Sequence, residues 1–160
     1  MKAKKLTHLD ERGRVHMVDV AAKPKTEREA TAEAIVKMAP ATLARLREGT
    51  VAKGDALAVV RIAAIQAAKR TPELIPLCHT IALTQVDVDV ELRARDVRIR
   101  TTARAFDRTG VEMEALVAAS TGALALYDML KAVDRSISFS VELSSKRGGN
   151  SGDYRRKERG

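Results

Sequence analysis

Two segments near the middle of the chain alternate strictly between apolar and polar side chains. Residues 84–92 (TQVDVDVEL) and 97–106 (VRIRTTARAF) both repeat with the period of two that is typical of a half-buried strand. Because only residues 93–96 separate the two segments, the pattern predicts an antiparallel hairpin. We expect Leu92 to pair with Val97 across the turn.

This register places oppositely charged side chains across from each other. Glu91 lies opposite Arg98 and Asp89 lies opposite Arg100, while the apolar side chains share the other face. Cross-strand pairs of opposite charge each contribute about 0.2–1 kcal/mol. The pairs therefore explain these arginines without a bound ligand.

The segment before the hairpin contains a capping box, in which Thr26 is followed three residues later by Glu29. This pattern predicts the start of a helix that Pro40 interrupts and Gly49 ends. A short strand is expected ahead of it, at residues 14–20 (RVHMVDV).

The segment from Asp55 to Arg70 has the pattern of a buried helix. Asp55 is a suitable N-cap, basic residues in the last turn complement the helix dipole, and a threonine-proline pair ends the helix. Only Arg61 and Gln66 are polar along its middle. We therefore expect other elements to cover this helix on more than one side.

A second capping box, Thr109 with Glu112, predicts a helix that runs to about Val133, and a strand is expected at residues 136–144 (SISFSVELS). The resulting order is strand, helices, two strands, helix and strand. This order resembles the ferredoxin-like βαββαβ arrangement. We therefore predict an α+β fold in which an antiparallel sheet packs with helices.

The length and composition agree with one compact unit. The chain has 160 residues, of which 45% are hydrophobic, which is enough for a single core. We expect a single domain over residues 1–160, with the core at 6–145 and a Gly-rich, basic, flexible tail at 146–160.

The net charge of +8 suggests a nucleic-acid partner, but its distribution argues against one. Most of the excess lies in residues 1–5 and 146–160, and the rest of the chain is nearly balanced. Two Phe, two Tyr and no Trp cannot form an RNA-stacking cluster. We expect no nucleic-acid partner, and a basic RNA-binding module and an inactive oligomeric scaffold are the alternatives from other classes.

Metal, membrane and export signals are also weak. The single Cys and three His have no zinc spacing, so no metal site is expected. The longest uncharged run, residues 115–127, is too short to span a bilayer, and no membrane partner is expected. One cysteine fits a reducing compartment, which predicts a cytoplasmic protein.

The only cysteine, Cys78, is followed by one of the three histidines, His79. Neighbouring side chains on an extended segment point to opposite faces, so the two cannot readily share a proton. We interpret Cys78 as a small packed hydrophobic residue. The role of His79, structural or functional, stays open on this evidence.

The apolar helix that begins near residue 111 carries charges only at its two ends. Asp128 and Lys131 are either an ordinary i,i+3 ion pair or a partly buried pair in which the lysine pKa is lowered for acid–base work. Glu114 and Asp128 are roughly 21 Å apart along the helix. Either they serve different sites, or a second subunit brings its Glu114 to this Asp128.

Several motifs, taken in order along the chain, resemble one enzyme family. They are HMVDV (16–20), KGD (53–55), IAAIQAAKRTPELIPLCH (62–79), TGVEMEAL (109–116), YDMLKAV (127–133) and KRGGNSGDY (146–154). Over residues 6–154 the chain is similar to the molybdenum cofactor biosynthesis protein C family, the cyclic pyranopterin monophosphate synthases. The KRTPELIPLCH block followed by GVEMEAL is the most specific part of the likeness.

The resemblance implies a lyase of molybdopterin synthesis that converts 3′,8-cyclo-7,8-dihydro-GTP to cyclic pyranopterin monophosphate and releases diphosphate. It also implies a ferredoxin-like subunit in a homo-oligomer, usually a hexamer built as a trimer of dimers, with active sites between subunits. No cofactor is evident, and the sequence leaves open whether Mg²⁺ accompanies the triphosphate.

The same resemblance implies roles for individual residues. Asp128, Lys131 and Lys53 match catalytic positions, and which lysine is the acid and which the base stays open. The positions implied to bind the substrate, with His79 as a polar contact in the pocket wall, are Leu77, Cys78, His79, Glu112, Met113, Glu114, Lys23, Arg28, Lys69 and Lys146.

Two positions depart from the family pattern. Thr80 stands where proline commonly follows the histidine, and Asn150 stands where lysine commonly follows the paired glycines. The second departure removes one charge from the expected triphosphate site, and Arg147 is close enough in sequence to substitute for it.

Overall fold

The computed structural model describes residues 12–157. These residues form an α+β fold of the predicted ferredoxin-like type, with helices packed on one antiparallel sheet. The sheet order is β2-β3-β1-β4-β5. The elements are β1 (Thr26–Lys37), α1 (Pro40–Arg47), α2 (Ala56–Lys69), α3 (Thr71–Leu74), β2 (Leu83–Leu92), β3 (Asp96–Asp107), α4 (Glu112–Leu130), β4 (Ser138–Arg147) and β5 (Tyr154–Arg155).

The predicted hairpin is confirmed in β2 and β3, including the pairing of Leu92 with Val97. Arg98 forms the expected ion pair with Glu91 at 2.7 Å. Arg100 stands opposite Asp89 but pairs with Glu33 of β1, also at 2.7 Å. β1, the strand on the other side of β3, thus competes for an arginine that the hairpin sequence alone assigns to Asp89.

The helix predicted from the Thr26–Glu29 capping box is wrong, because this segment is strand β1. From Ala30 to Val36 every second side chain is buried against the helices, which is the period of a strand. β1 pairs with β3 on one side and β4 on the other. The hydrogen bonds and burial of a central strand outweigh the helix propensity of its alanines.

The strand predicted at residues 14–20 is also wrong. Only Val15 forms an isolated bridge, and the rest of the segment is irregular within the described chain. The backbone oxygen of Val18 instead accepts a hydrogen bond from the His79 ring, and that of Val20 accepts one from the Lys23 amide. Because an extended segment becomes a strand only by pairing, the alternation of valines was insufficient.

The two apolar helices pack against each other and against the sheet. Asp55 caps α2 as predicted, accepting the Ala58 amide at 2.9 Å. The second capping box is wrong, because α4 begins at Glu112 after Val111 and no side-chain cap is made. α4 is long and apolar enough to cross a membrane, but core helices of other proteins meet the same criteria of length and composition. In this structure α4 packs in the core.

The outer side of the helix layer exposes apolar side chains in the single chain. Val59 and Ile62 of α2 are 40% and 62% exposed, and Leu124 of α4 is 54% exposed. The expected cover of α2 on more than one side is therefore incomplete within one chain.

The C-terminal segment contains more regular structure than its composition suggests. β4 continues to Arg147, and β5 pairs with β4 through Ser145 with Arg155 and Lys146 with Tyr154. The mobility of the tail in solution stays a prediction.

Candidate functional site

Two adjoining cavities of about 490 and 340 Å³ open where β1 begins and α4 begins. Both are lined by Lys23, Thr109, Gly110 and Glu112, so they form one continuous groove. We call the larger cavity the basic end of the groove and the smaller one the histidine end.

The histidine end brings together residues from distant parts of the sequence. Leu77, Cys78 and His79 face Met113 and Glu114 across it. His79 donates from Nε2 to the Val18 carbonyl oxygen at 2.7 Å, because a carbonyl can only accept. This bond fixes the orientation of the imidazole ring. The other ring nitrogen, Nδ1, takes no part in it.

Glu114 is the buried acid of the groove, with only 3% of its surface exposed. Burial, with a smaller contribution from the charge of Glu112, raises the pKa of Glu114 to about 7, and a backbone hydrogen bond opposes the rise. Burial, followed by the charge of Glu114, also raises the pKa of the Cys78 thiol. A raised thiol pKa agrees with the interpretation of Cys78 as a wall residue rather than a nucleophile.

The basic end of the groove is lined by four cationic side chains, of which three take part in local contacts. Arg108 donates from Nε to the Lys23 backbone oxygen at 3.0 Å. Lys146 lies 3.2 Å from the Glu112 carboxylate. Arg28 donates to the backbone oxygens of Asp107 and Arg108 at 3.1 and 3.2 Å, so it also shapes the groove wall. The four cations are Lys23, Arg28, Arg108 and Lys146.

Gly149 lies beside Arg28, one of the residues that line this end of the groove. Its φ of +84° lies in the left-handed region, and an added Cβ would lie 1.7 Å from Nη1 of Arg28. The positive φ therefore favours glycine at this point, and a larger residue would also displace the Arg28 guanidinium.

Sequence reasoning missed several residues that line the groove. Arg108 directly precedes the Thr109-Gly110 motif, a signal that could have identified it. Thr26 has a buried hydroxyl with no hydrogen-bond partner among the described residues, although it lines the basic end. The other missed lining residues are Val18, Val20, Pro24, Ile81, Thr109, Gly110 and Ser151. Asn150, which the family pattern placed at the triphosphate site, lines the basic end.

The three residues predicted as catalytic meet at the opposite end of α4. Lys131 Nζ lies 2.6 Å from Asp128 Oδ1, and Lys53 Nζ lies 3.1 Å from Oδ2 of the same carboxylate. Lys53 also donates to the Asp128 backbone oxygen at 2.7 Å. We call this group the lysine cluster.

The lysine cluster is exposed, which changes the expected protonation. Hydrogen bonds from Lys131 and then from Lys53 lower the pKa of Asp128. The hydrogen bond to Asp128 raises the pKa of Lys131. The expectation that burial lowers the pKa of this lysine is therefore wrong for the single chain, because the side chain lies in water beside a carboxylate.

The groove and the lysine cluster are separated by most of α4. Glu114 lies in the first turn of the helix and Asp128 in the last, roughly 21 Å away. Lys69 belongs to neither group: it is exposed in the last turn of α2 and lines neither cavity. Within one chain, the structure thus brings the predicted residues together as two separate groups.

No group of three or more His, Cys, Asp or Glu side chains within residues 12–157 is arranged to hold a metal ion. The groove, with cations at one end and a histidine and a buried acid at the other, has the form of an enzyme site in an α+β fold.

Residues 17–149 match the MoaC family, and the chain belongs to that family. It is 55% identical over 156 residues to the cyclic pyranopterin monophosphate synthase of Thermomicrobium roseum, covering 96% of this chain and 94% of the relative. The synthase of Parvibaculum lavamentivorans is 53% identical over 160 residues, covering 98% of this chain and all of the relative. The synthase of Brucella ovis is 52% identical over 153 residues, with 94% and 93% covered. These findings confirm the resemblance drawn from the motifs.

Proposed function

We propose that this protein is a cyclic pyranopterin monophosphate synthase, a lyase of molybdenum cofactor biosynthesis. Its substrate is 3′,8-cyclo-7,8-dihydro-GTP, and its products are cyclic pyranopterin monophosphate and diphosphate. The observation that carries the proposal is the continuous groove, which places cations beside a histidine and a buried acid in a chain of this family.

The basic end of the groove suits the triphosphate. Lys23, Arg108 and Lys146 line it, and a positive site of this kind neutralises the charge that develops as diphosphate leaves. Arg28 contributes its charge while it holds the backbone at residues 107–108.

The histidine end suits the purine-derived ring system. Ring opening and pterin formation both require proton transfers, which are fastest when the transferring group has a pKa near the working pH. Burial gives Glu114 such a pKa, and His79 stands across the same cavity. Leu77 and Met113 supply the apolar walls of the cavity.

The lysine cluster reaches the substrate from a second subunit. One chain cannot place Glu114 and Asp128 on the same small molecule, because α4 separates them. The exposed Val59, Ile62 and Leu124 are the kind of surface that association covers. A homo-oligomer in which each active site combines two chains accounts for both features, and the hexamer implied by the family resemblance is our proposed assembly.

Assembly also accounts for the chemistry of Lys131. Its pKa is raised in the single chain, so it is a poor base there. Burial at a subunit interface, together with the positive charge of Lys53 beside it, lowers a lysine pKa toward neutrality. The cytoplasm, where such small-molecule synthesis takes place, is the proposed location.

Turnover of the proposed substrate tests the function directly. The protein is incubated with 3′,8-cyclo-7,8-dihydro-GTP, and diphosphate and the pterin product are followed together. We expect the two products in equal amounts. Diphosphate without the pterin, or neither product, contradicts the proposal.

Sedimentation velocity at micromolar concentration tests the assembly separately. We expect no substantial species at the monomer mass of 17.4 kDa. A clean monomer under these conditions contradicts the shared active site.

A further inference from the structure

Asp134 is a buried carboxylate that lies outside the groove and outside the lysine cluster. Asp134 is 8% exposed, and each of its two carboxylate oxygens accepts two hydrogen bonds. Oδ2 accepts from the Ala39 amide at 2.9 Å and the Thr42 hydroxyl at 3.0 Å. Oδ1 accepts from the amide and hydroxyl of Ser136 at 2.9 and 2.6 Å.

These bonds join two elements that are far apart in sequence. The Asp134 amide donates to the Leu130 oxygen at 3.0 Å, which attaches the residue to the end of α4. Ala39 is the N-cap of α1, and this helix has no side-chain cap of its own. Asp134 therefore caps α1 from the end of α4, 95 residues away.

The lysine cluster lies on the end of α4 and on the loop that follows α1. Asp128 lies in the last turn of α4, and Lys131 is the C-cap of that helix. Lys53 lies on the loop between α1 and α2. No described hydrogen bond joins Lys53 to α4 except those to Asp128 itself, so the position of the loop determines whether the cluster forms.

α1 is a stiff connection between Asp134 and the loop. Leu43 and Leu46 are buried in the core, so the helix cannot slide freely. The loop starts with a hydrogen bond from the Thr50 amide to the Arg45 oxygen at 3.0 Å. Loss of the Asp134 bonds lets the N-terminus of α1 tilt about these buried leucines, and a tilt of so short a helix displaces the loop that carries Lys53.

We propose that Asp134 is a positioning residue that sets the distance between Lys53 and the Asp128–Lys131 pair. The catalytic consequence rests on the proposed function, whereas the geometric consequence does not. Asp134 touches no groove residue and acts only through α1 and the end of α4.

Asp134→Asn tests the proposal with little change in volume. The amide group of asparagine donates hydrogen bonds, so the Ala39 or Ser136 backbone amide loses its acceptor. We expect kcat to fall roughly 10- to 100-fold with KM little changed, the loss typical of misplaced catalytic groups. Thr42→Val, which removes one donor and leaves the carboxylate, should cause a smaller loss of the same kind.

Ile99→Ala is the matched control for a loss of stability alone. Ile99 is fully buried beneath α2 and α4 and makes no hydrogen bond to the lysine cluster or to Asp134, so its truncation weakens the core without touching these bonds. Measured well below its melting temperature, Ile99→Ala should keep kcat. In a Lys53→Ala background, Asp134→Asn should add almost no further loss of kcat, because its route to the chemistry has been removed.

Limited acetylation of lysines, read out by mass spectrometry, tests the geometry without any substrate. In Asp134→Asn we expect labelling of Lys53 to rise severalfold relative to Lys69, which is exposed and serves as an internal reference. Ile99→Ala should leave this ratio unchanged. If the wild type does not turn over the proposed substrate, only the proposed function is refuted. The labelling ratio then still decides whether Asp134 positions Lys53.

Two outcomes would overturn the positioning role. One is an unchanged Lys53 labelling ratio in folded Asp134→Asn, whatever happens to kcat. The other is a loss of kcat that persists in full when Lys53 is already alanine.

Discussion

Glu114 and Asp134 are both buried carboxylates, yet their surroundings shift the two pKa values in opposite directions. Glu114 loses solvent without gaining a cation, so its pKa rises to about 7. Asp134 accepts hydrogen bonds from Ser136, Ala39 and Thr42, so its pKa falls to about 2. The first residue is suited to proton transfer and the second to holding structure.

The depressed pKa of Asp134 predicts a loss of stability in acid. The ionised carboxylate contributes stability that is fully present above its ordinary pKa of 3.8 and is lost as pH falls toward 2. The contribution is about 2 kcal/mol, from about 1.4 kcal/mol per pKa unit. Urea unfolding of wild type and Asp134→Asn should give the largest stability gap near pH 7 and a narrowing gap below pH 4. A gap that does not depend on pH contradicts the hydrogen-bonded carboxylate.

The raised pKa of Glu114 predicts the reverse dependence. The cost of burying the charged carboxylate is absent while Glu114 is protonated, and it appears as pH rises from the ordinary pKa of 4.5 through about 7. At pH 8 the free energy of unfolding of Glu114→Gln should therefore exceed that of the wild type by at most about 3 kcal/mol, measured by urea denaturation. At pH 4.5 the two proteins should differ little. The same variant should lower kcat by at least ~10²-fold. If Glu114→Gln is less stable than the wild type at pH 8, the ionised carboxylate stabilises the fold, which contradicts the desolvation cost.

The neighbours Cys78 and His79 should differ in their importance. Cys78→Ala should keep most activity, because the thiol has a raised pKa and lines a wall. His79→Ala should lose much of it, since this removes the polar group held by the Val18 oxygen. Steady-state kinetics of the two folded variants make the comparison. The opposite ranking, or inactivation by thiol alkylation without unfolding, would support a nucleophilic cysteine.

At the scale of elements, α2 and α4 pack closely because Gly122 is buried between them. A Cβ added there would lie 3.4 Å from Ile99 and 3.5 Å from Ala64 and Val60, which are ordinary contact distances. There is therefore room for one methyl group and no more.

We predict that Gly122→Ala raises the free energy of unfolding by up to about 1 kcal/mol, the difference in helix propensity. Gly122→Leu should lower it by about 1–3 kcal/mol, because a larger side chain must separate the helices. Urea denaturation of both variants measures the two effects. Destabilisation by alanine would show that the helices approach more closely than the structure indicates.

At the scale of the whole molecule, the two groups of site residues predict complementation between subunits. Glu114→Gln damages the groove and Lys131→Ala damages the lysine cluster, so each variant alone should be nearly inactive. After the two are unfolded together and reassembled, random mixing leaves both groups intact in about a quarter of the shared sites. We expect turnover to recover toward that fraction. Each variant reassembled alone is the control, and no recovery in the mixture would place each active site within one chain.

Much of the fold could be predicted from local sequence. The hairpin register follows from alternation over residues 84–106, and the start of α2 follows from Asp55, because both signals act between residues close in sequence. The three members of the lysine cluster and part of the groove lining were named through the family motifs. The separation of Glu114 from Asp128 follows from their spacing on one helix. The contacts within each group, such as that of Lys53 with Asp128, could not be predicted, because motifs do not state which residues touch.

By itself, the sequence determined the α+β class, the hairpin, the apolar character of α2 and α4, and the family. Only the tertiary structure decided that residues 26–37 are a strand, since the pairing of β1 with β3 and β4 outweighs the helix signal of its alanines and its apparent capping box. It also decided that Asp134 caps a helix 95 residues away. Such long-range hydrogen bonds depend on how the elements pack, and no local pattern of residues encodes them.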